Sequence, residues 1–129
     1  MRIMIDTNIL ISIYLFPTPV MRNLVDTITE KHTIVLPSYV IDELKTVIKR
    51  KFPAQYQYLD AFLREVPYEY TYTVEKIDAN KYPNIRDKKD LPAIIEDVDI
   101  LITGDKDFAE LEIEKPEILT PAQFLKKYS

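Results

Sequence analysis

The sequence predicts an α/β protein built on a mostly parallel sheet covered on both faces by right-handed crossovers, and three observations carry that expectation. Short apolar runs alternate along the chain with stretches of helical periodicity, giving an about five-stranded sheet. Acidic residues stand where those runs hand over to helices, which is where open α/β sheets bind their ligands. The third observation is one glycine in 129 residues. Glycine-rich loops let a backbone approach phosphate closely, and Gly104 alone cannot build one, so a sheet of this kind must bind by another route. The route the residues offer is carboxylate plus metal.

Strand-like runs are predicted at residues 2–5, 33–36, 99–103 and 117–119, with a fifth at 68–73. Between the first two, residues 8–16 and 18–31 form a helical pair broken at Pro17 and Pro19, because proline ends one helix or starts the next. Residues 38–51 place Val40, Ile41, Leu44, Val47 and Ile48 at helical spacing and leave Lys45, Lys49, Arg50 and Lys51 for another face. Ser38 is expected to cap that helix. Pro53 marks a break before a helix at about 54–65 that carries Tyr58, Leu59, Phe62 and Leu63. Two shorter helices are expected at 90–98 and 105–111. Pro121 starts a last one with Phe124 and Leu125 turned inward.

A chain of 129 residues favours a single domain, 1–129, with a sizeable core. With 47% apolar and 29% charged residues, it is expected to fold rather than remain disordered. The absence of cysteine removes disulfides, thiol catalysis and the usual structural zinc sites. The single histidine, His32, cannot form a histidine metal site and reads as a solvated loop residue. No run approaches the ~20 apolar residues of a membrane helix, and the first residues lack a signal-peptide pattern. The expectation is a cytoplasmic protein. A net charge of −4 argues against a general nucleic-acid coat but not against a local nucleic-acid site.

Asp6-Thr7-Asn8 follows the apolar Ile3-Met4-Ile5. Asp6 or Thr7 can cap the next helix; alternatively the Asp6 carboxylate is a metal ligand, with Thr7 and Asn8 hydrogen-bonding in the site. Asp42 and Glu43 would complement a helix dipole. If Val40, Ile41 and Leu44 face the core, however, only one of the two acids can serve a site, and Glu43 is the choice. Asp90 is either an N-cap, with Pro92 in the first turn, or a site acid in the charge run Arg86-Asp87-Lys88-Lys89-Asp90. In Thr103-Gly104-Asp105-Lys106-Asp107-Phe108 an apolar strand stops on threonine and two aspartates precede a short helix. Capping explains one aspartate better than two.

This ordered set, Asp-Thr-Asn after a strand, Asp-Glu-Leu on a helix, Asp90 before an apolar helix and then Thr-Gly-Asp-Lys-Asp-Phe, resembles the PIN domain family over nearly the full chain. Ile118-Leu119-Thr120-Pro121-Ala122-Gln123-Phe124-Leu125 looks like the strand-helix end of bacterial and archaeal members. Such proteins are similar to the toxin nucleases of toxin–antitoxin pairs. The resemblance implies a three-layer α/β/α fold and a Mg²⁺- or Mn²⁺-dependent ribonuclease. The family's acids map to Asp6, Glu43, Asp90 and Asp105, with Asp107 adjacent and Asp87 a rival for the third position. Thr7, Asn8 and Thr103 would support them. The resemblance also implies a homodimer, a cognate antitoxin and an RNA substrate.

The chemistry follows from the residue types as well. Oxygen-only ligands suit Mg²⁺ or Mn²⁺, and such ions lower the pKa of bound water and neutralise charge on phosphoryl oxygens. In-line phosphodiester hydrolysis is the expected reaction, with Asp6, Asp90 and Asp105 holding metal and Glu43 binding metal or orienting water. Arg86, Lys88, Lys89 and Lys106 flank these acids and are the better-placed RNA contacts, while Lys45, Lys49, Arg50 and Lys51 form a second basic group. Phosphate contacts position a backbone without reading bases. Tyr68, Tyr70 and Tyr72 share one face of a strand, where core packing or a subunit interface is favoured over stacking on bases. Two alternatives stand beside the nuclease. One is a catalytically silent PIN-like interaction module. The other is a receiver-like phosphotransfer domain, which needs a phosphoacceptor aspartate on a middle strand and finds none in Thr73-Val74-Glu75.

Overall fold

A computed structural model describes residues 1–72, 98–104 and 116–129. Within them the order is β1 (Arg2–Ile5), α1 (Thr7–Leu15), α2 (Pro19–Lys31), β2 (Thr33–Pro37), α3 (Ser38–Lys51), α4 (Pro53–Glu65), β3 (Tyr68–Thr71), β4 (Ile100–Ile102), β5 (Glu117–Leu119) and α5 (Pro121–Tyr128). The five strands form one sheet in the order β3-β2-β1-β4-β5, and every pairing is parallel. The chain first moves outward from β1 through β2 to β3, then crosses to β4 and β5 on the other side. Its topological switch point is the crevice between β1 and β4, the place where an open parallel sheet offers its ligand site.

The central strand shows why the apolar runs were legible. Ile3, Met4 and Ile5 are each at most 1% exposed, as expected where helices cover both faces of a parallel sheet. Ile34, Val35 and Leu36 on β2 and Ile100, Leu101 and Ile102 on β4 are equally buried. Each such side chain contributes about 1.5–3 kcal/mol of transfer free energy when removed from water. Helix α3 sends Val40, Ile41, Leu44 and Ile48 into this core, α4 sends Leu59 and Leu63, and α5 sends Phe124. Leu125 packs against its edge.

Several sequence expectations shift in detail. Ser38 does not cap α3: it is the first helical residue and is buried, Pro37 occupies the N-cap, and no side chain caps that end. Proline's fixed φ suits the extended cap geometry, so the strand runs straight into the helix. Thr18 caps α2 through Met21 N–H at 3.3 Å with Pro19 at the first helical position, and Pro53 likewise starts α4. On α4, Leu59 and Leu63 are buried, while Tyr58 is 57% exposed. Strand β3 ends at Thr71, and it is an edge strand; Tyr68 packs on the core while Tyr70 and Tyr72 are exposed. His32 is the single residue joining α2 to β2, the C-cap of α2, and is half-buried rather than solvated, its ring 6.1 Å edge-on from Phe124. Burial, then the Met1 amino group and Lys31, hold its pKa below the usual imidazole value. The helices expected at 90–98 and 105–111 lie outside the described residues, apart from the buried Val98.

Candidate active site

Asp6 is the residue immediately beyond β1, and Thr103 is the residue immediately beyond β4. Because Ile5 pairs with Ile102 in parallel register, the two stand side by side at the carboxyl end of the crevice. The Asp6 N–H donates to the Ile102 carbonyl at 2.9 Å. Thr103 Oγ1 donates to Asp6 Oδ2 at 2.8 Å, and Thr7 N–H donates to Asp6 Oδ1 at 2.8 Å. Two donors therefore fix both carboxylate oxygens. Thr103 is 2% exposed, and its own N–H is engaged by the Leu119 carbonyl at 3.0 Å. A polar group so enclosed is held by its neighbours rather than by water.

Asp6 also starts α1. It has extended N-cap geometry, and its carbonyl accepts from Ile9 and Leu10 N–H at 3.0 and 3.1 Å. Its carboxylate, however, meets the N–H of the first helical residue instead of the second or third, which an N-cap side chain ordinarily serves. Capping accounts for the position of Asp6 and only partly for its carboxylate. Thr7 contributes its N–H and not its hydroxyl, which is buried with no hydrogen-bond partner among the described residues. Asn8 is exposed.

Helix α1 packs on α3, which carries Glu43. Since α3 begins at Ser38, its first turn holds no acidic residue, and Asp42 and Glu43 fall in the second turn. The dipole explanation for them weakens, because that effect fades within the first turn. Both are exposed. Asp42 lines a groove of about 650 Å³ between α3, α4 and β3, with Lys45, Asp60, Arg64 and Tyr70. Glu43 projects about 100° around the helix from it, which separates the two acids as the spacing required.

Asp90, Asp105, Asp107 and the rival Asp87 lie outside the described residues, as do Arg86, Lys88, Lys89 and Lys106. Among the described residues, no three acidic or histidine side chains gather as a metal site. What the described part supplies is one constrained carboxylate beside a buried Thr7 hydroxyl that has no hydrogen-bond partner among the described residues. That all-oxygen donor set fits a hard divalent cation. Sequence reasoning named Thr103 as a supporting residue but missed its bond to Asp6, because nothing local in the chain pairs positions 97 residues apart. It also missed Asp99, whose Oδ2 accepts from Arg2 N–H at 2.8 Å at the other end of the same two strands.

The receiver-like alternative meets a topological obstacle. The strand on which it sought a phosphoacceptor is β3, which among the described residues is an edge strand. No helix among the described residues is long and apolar enough to cross a membrane.

Comparison with known proteins agrees with this fold. No curated protein matches the chain. Among solved structures, the fold is similar to a chain in the crystal structure of VapBC2 from Rickettsia felis bound to a DNA fragment from their promoter. The TM-score is 0.69 at 24% identity, covering 92% of this chain and 97% of that one. The sequence matches the PIN domain family over residues 2–107. With the five-stranded parallel sheet and the Asp6–Thr103 crevice in place, the chain belongs to the PIN domain family.

Proposed function

We propose that this protein is a Mg²⁺- or Mn²⁺-dependent endoribonuclease, the toxin of a toxin–antitoxin pair, acting in the cytoplasm as a homodimer. The observation that carries the reading is the Asp6 carboxylate held across the β1–β4 crevice by Thr103. A cap serves its own helix, whereas this one is tied to a strand distant in sequence. Membership of the PIN domain family supports the nuclease. The fold shared with a chain solved in the VapBC2 assembly supports an antitoxin partner.

In this reading Asp6, Asp90 and Asp105, with Asp107 beside them, hold the metal, and Glu43 binds metal or orients the attacking water. The ion supplies charge neutralisation at the phosphoryl oxygens and acidifies water. Thr103 and the Thr7 N–H keep the Asp6 carboxylate in one orientation, so it needs no rearrangement as charge develops. With His32 at the amino end of β2, packed on Phe124, no imidazole serves the reaction and the base must come from a carboxylate or from water. Arg86, Lys88, Lys89 and Lys106 would neutralise RNA phosphates beside the acids.

The test is cleavage of a total cellular RNA pool with Mn²⁺ or Mg²⁺, mapping new ends for the native chain and for Asp6→Asn from the same preparation. Ends that depend on metal and vanish in Asp6→Asn establish the ribonuclease. Identical patterns from both proteins defeat it in favour of a silent interaction module.

A further inference from the structure

Residues 44–59 carry Lys45, Lys49, Arg50 and Lys51 and no acidic residue, a local charge of +4 in a chain whose net charge is −4. The other 113 residues therefore sum to −8. Lys49, Arg50 and Lys51 fill the last turn of α3, where some positive charge is expected because a helix C-terminus carries about half a negative charge. Three full charges exceed that need several times over. All three side chains are exposed, and among the described residues none meets a carboxylate within ion-pair distance. The surplus is available to an external anion.

An aromatic face lies in the same patch. Tyr56, in the first turn of α4, is 39% exposed, and Lys49 Nζ lies 5.8 Å from its ring centroid. Tyr58 does not share this face: it stands two positions on, about 200° around the helix, on the side of Tyr14. Cations that track phosphates beside an aromatic ring that takes an unpaired base are the components of a single-strand binding surface. Its place relative to the candidate site follows from the helix. Arg50 is seven residues beyond Glu43, on nearly the same line of α3 and about 10 Å along its axis. One strand can therefore touch both.

We propose that Lys49, Arg50, Lys51 and Tyr56 form an anchoring site for single-stranded RNA at the α3–α4 junction, separate from the acids that would cut it. The ribonuclease reading supplies only the identity of the strand, and the site binds without cleavage. It holds RNA by phosphate neutralisation and one stacked base, without reading sequence.

The experiment measures binding of a fluorescein-labelled oligouridylate, in chelator, as a function of salt. Neutralising the three cations together, Lys49→Gln with Arg50→Gln and Lys51→Gln, is expected to lower affinity by up to about a hundredfold at about 0.1 M salt. The same change lowers the salt slope by about 2, at about 0.7 per phosphate contact. Tyr56→Ala is expected to lower affinity about fivefold or more with the slope unchanged, and Tyr56→Phe to restore it. Thermal melting of each variant confirms that the fold is intact. An unchanged slope in the triple variant overturns the proposal. So does equal affinity for a DNA duplex of the same length, since paired bases cannot stack on Tyr56. Binding without any RNA cleavage leaves this site standing and defeats the nuclease; cleavage by a protein whose binding ignores these residues does the reverse.

Discussion

Two strand-to-helix junctions in this molecule look alike in sequence and differ in what their polar atoms do. At the end of β5, Thr120 caps α5 with a complete capping box: Gln123 N–H donates to Thr120 Oγ1 at 3.2 Å, and Thr120 N–H donates to Gln123 Oε1 at 2.9 Å. Glu117 on β5 is bound by Lys127 and Tyr128 of the same helix. Every partner is within eleven residues. At the end of β1, Asp6 also starts a helix, yet its carboxylate reaches Thr103, just beyond the neighbouring strand and 97 residues away. Local closure satisfies a helix end and nothing more. A polar group tied across the switch point is constrained in three dimensions, as a reacting site requires.

The largest expected difference between the junctions is in activity. Asp6→Asn keeps the shape and a partial cap but removes the charge that would hold a cation, and RNA cleavage is expected to fall by at least about a hundredfold. Thr120→Ala removes half the capping box and is expected to cost about 1 kcal/mol of stability with cleavage unchanged. Measuring kcat/KM and urea midpoints for both variants separates the two kinds of junction. Equal activity losses would erase the distinction.

Metal addition sharpens the same contrast through stability. A cation bound only by the folded protein adds about 2.7 kcal/mol when its concentration is about a hundred times Kd. Mn²⁺ is therefore expected to raise the melting temperature of the native chain and of Thr120→Ala alike, and to leave Asp6→Asn unmoved. Without metal, Asp6→Asn is expected to melt higher than the native chain if the proposed acids converge on Asp6, because one charge would leave a cluster of like charges. A metal-free decrease would show that Asp6 is a cap first.

Thr103→Val tests the bond itself. The swap keeps the β-branched shape and deletes the hydroxyl in a site that is 2% exposed. It removes a hydrogen bond to a carboxylate, about 1.5–3 kcal/mol, and leaves Asp6 Oδ2 less firmly held while the Thr7 N–H still binds Oδ1. Cleavage is expected to fall about tenfold, the usual scale for losing a group that orients a metal ligand. A variant that loses stability but no activity would reduce Thr103 to a structural residue.

How much of this was visible beforehand depended on the range of the interaction. The strands of β1, β2 and β4 were legible because burial on both faces forces unbroken apolar runs, such as Ile3-Met4-Ile5. Helix α3 was legible because its buried residues repeat every three to four positions. Asp6 and Thr103 were each singled out as residues at strand ends. Their pairing was not, since it depends on β4 lying beside β1, and strand order is not written in any local pattern. Ser38 misled for a related reason: serine is a good cap, but its burial beside the core at the start of α3 gave that position to Pro37. His32 misled through its neighbours, because Phe124, which covers it, arrives from the far end of the chain.

The smallest effect concerns the β5–α5 unit and its response to acid. Hydrogen bonds from Lys127 and then Tyr128 hold the Glu117 carboxyl below its usual range, against the opposing pull of burial. A carboxyl with a lower pKa in the folded chain than in the unfolded one binds fewer protons when folded, so stability rises with pH across that interval. The contribution is fully present above the ordinary carboxylate range and is lost as pH falls through the folded value. Because both partners are partly exposed, at 34% and 53% of their side chains, solvent screening keeps the effect small. Urea midpoints measured from about pH 6 down to about pH 3 are expected to fall slightly less steeply for Glu117→Gln than for the native chain. Cleavage at neutral pH should be the same for both, because this network closes within its own strand and helix. A loss of activity in Glu117→Gln would mean that the two junctions are coupled through Leu119, whose carbonyl receives the Thr103 N–H.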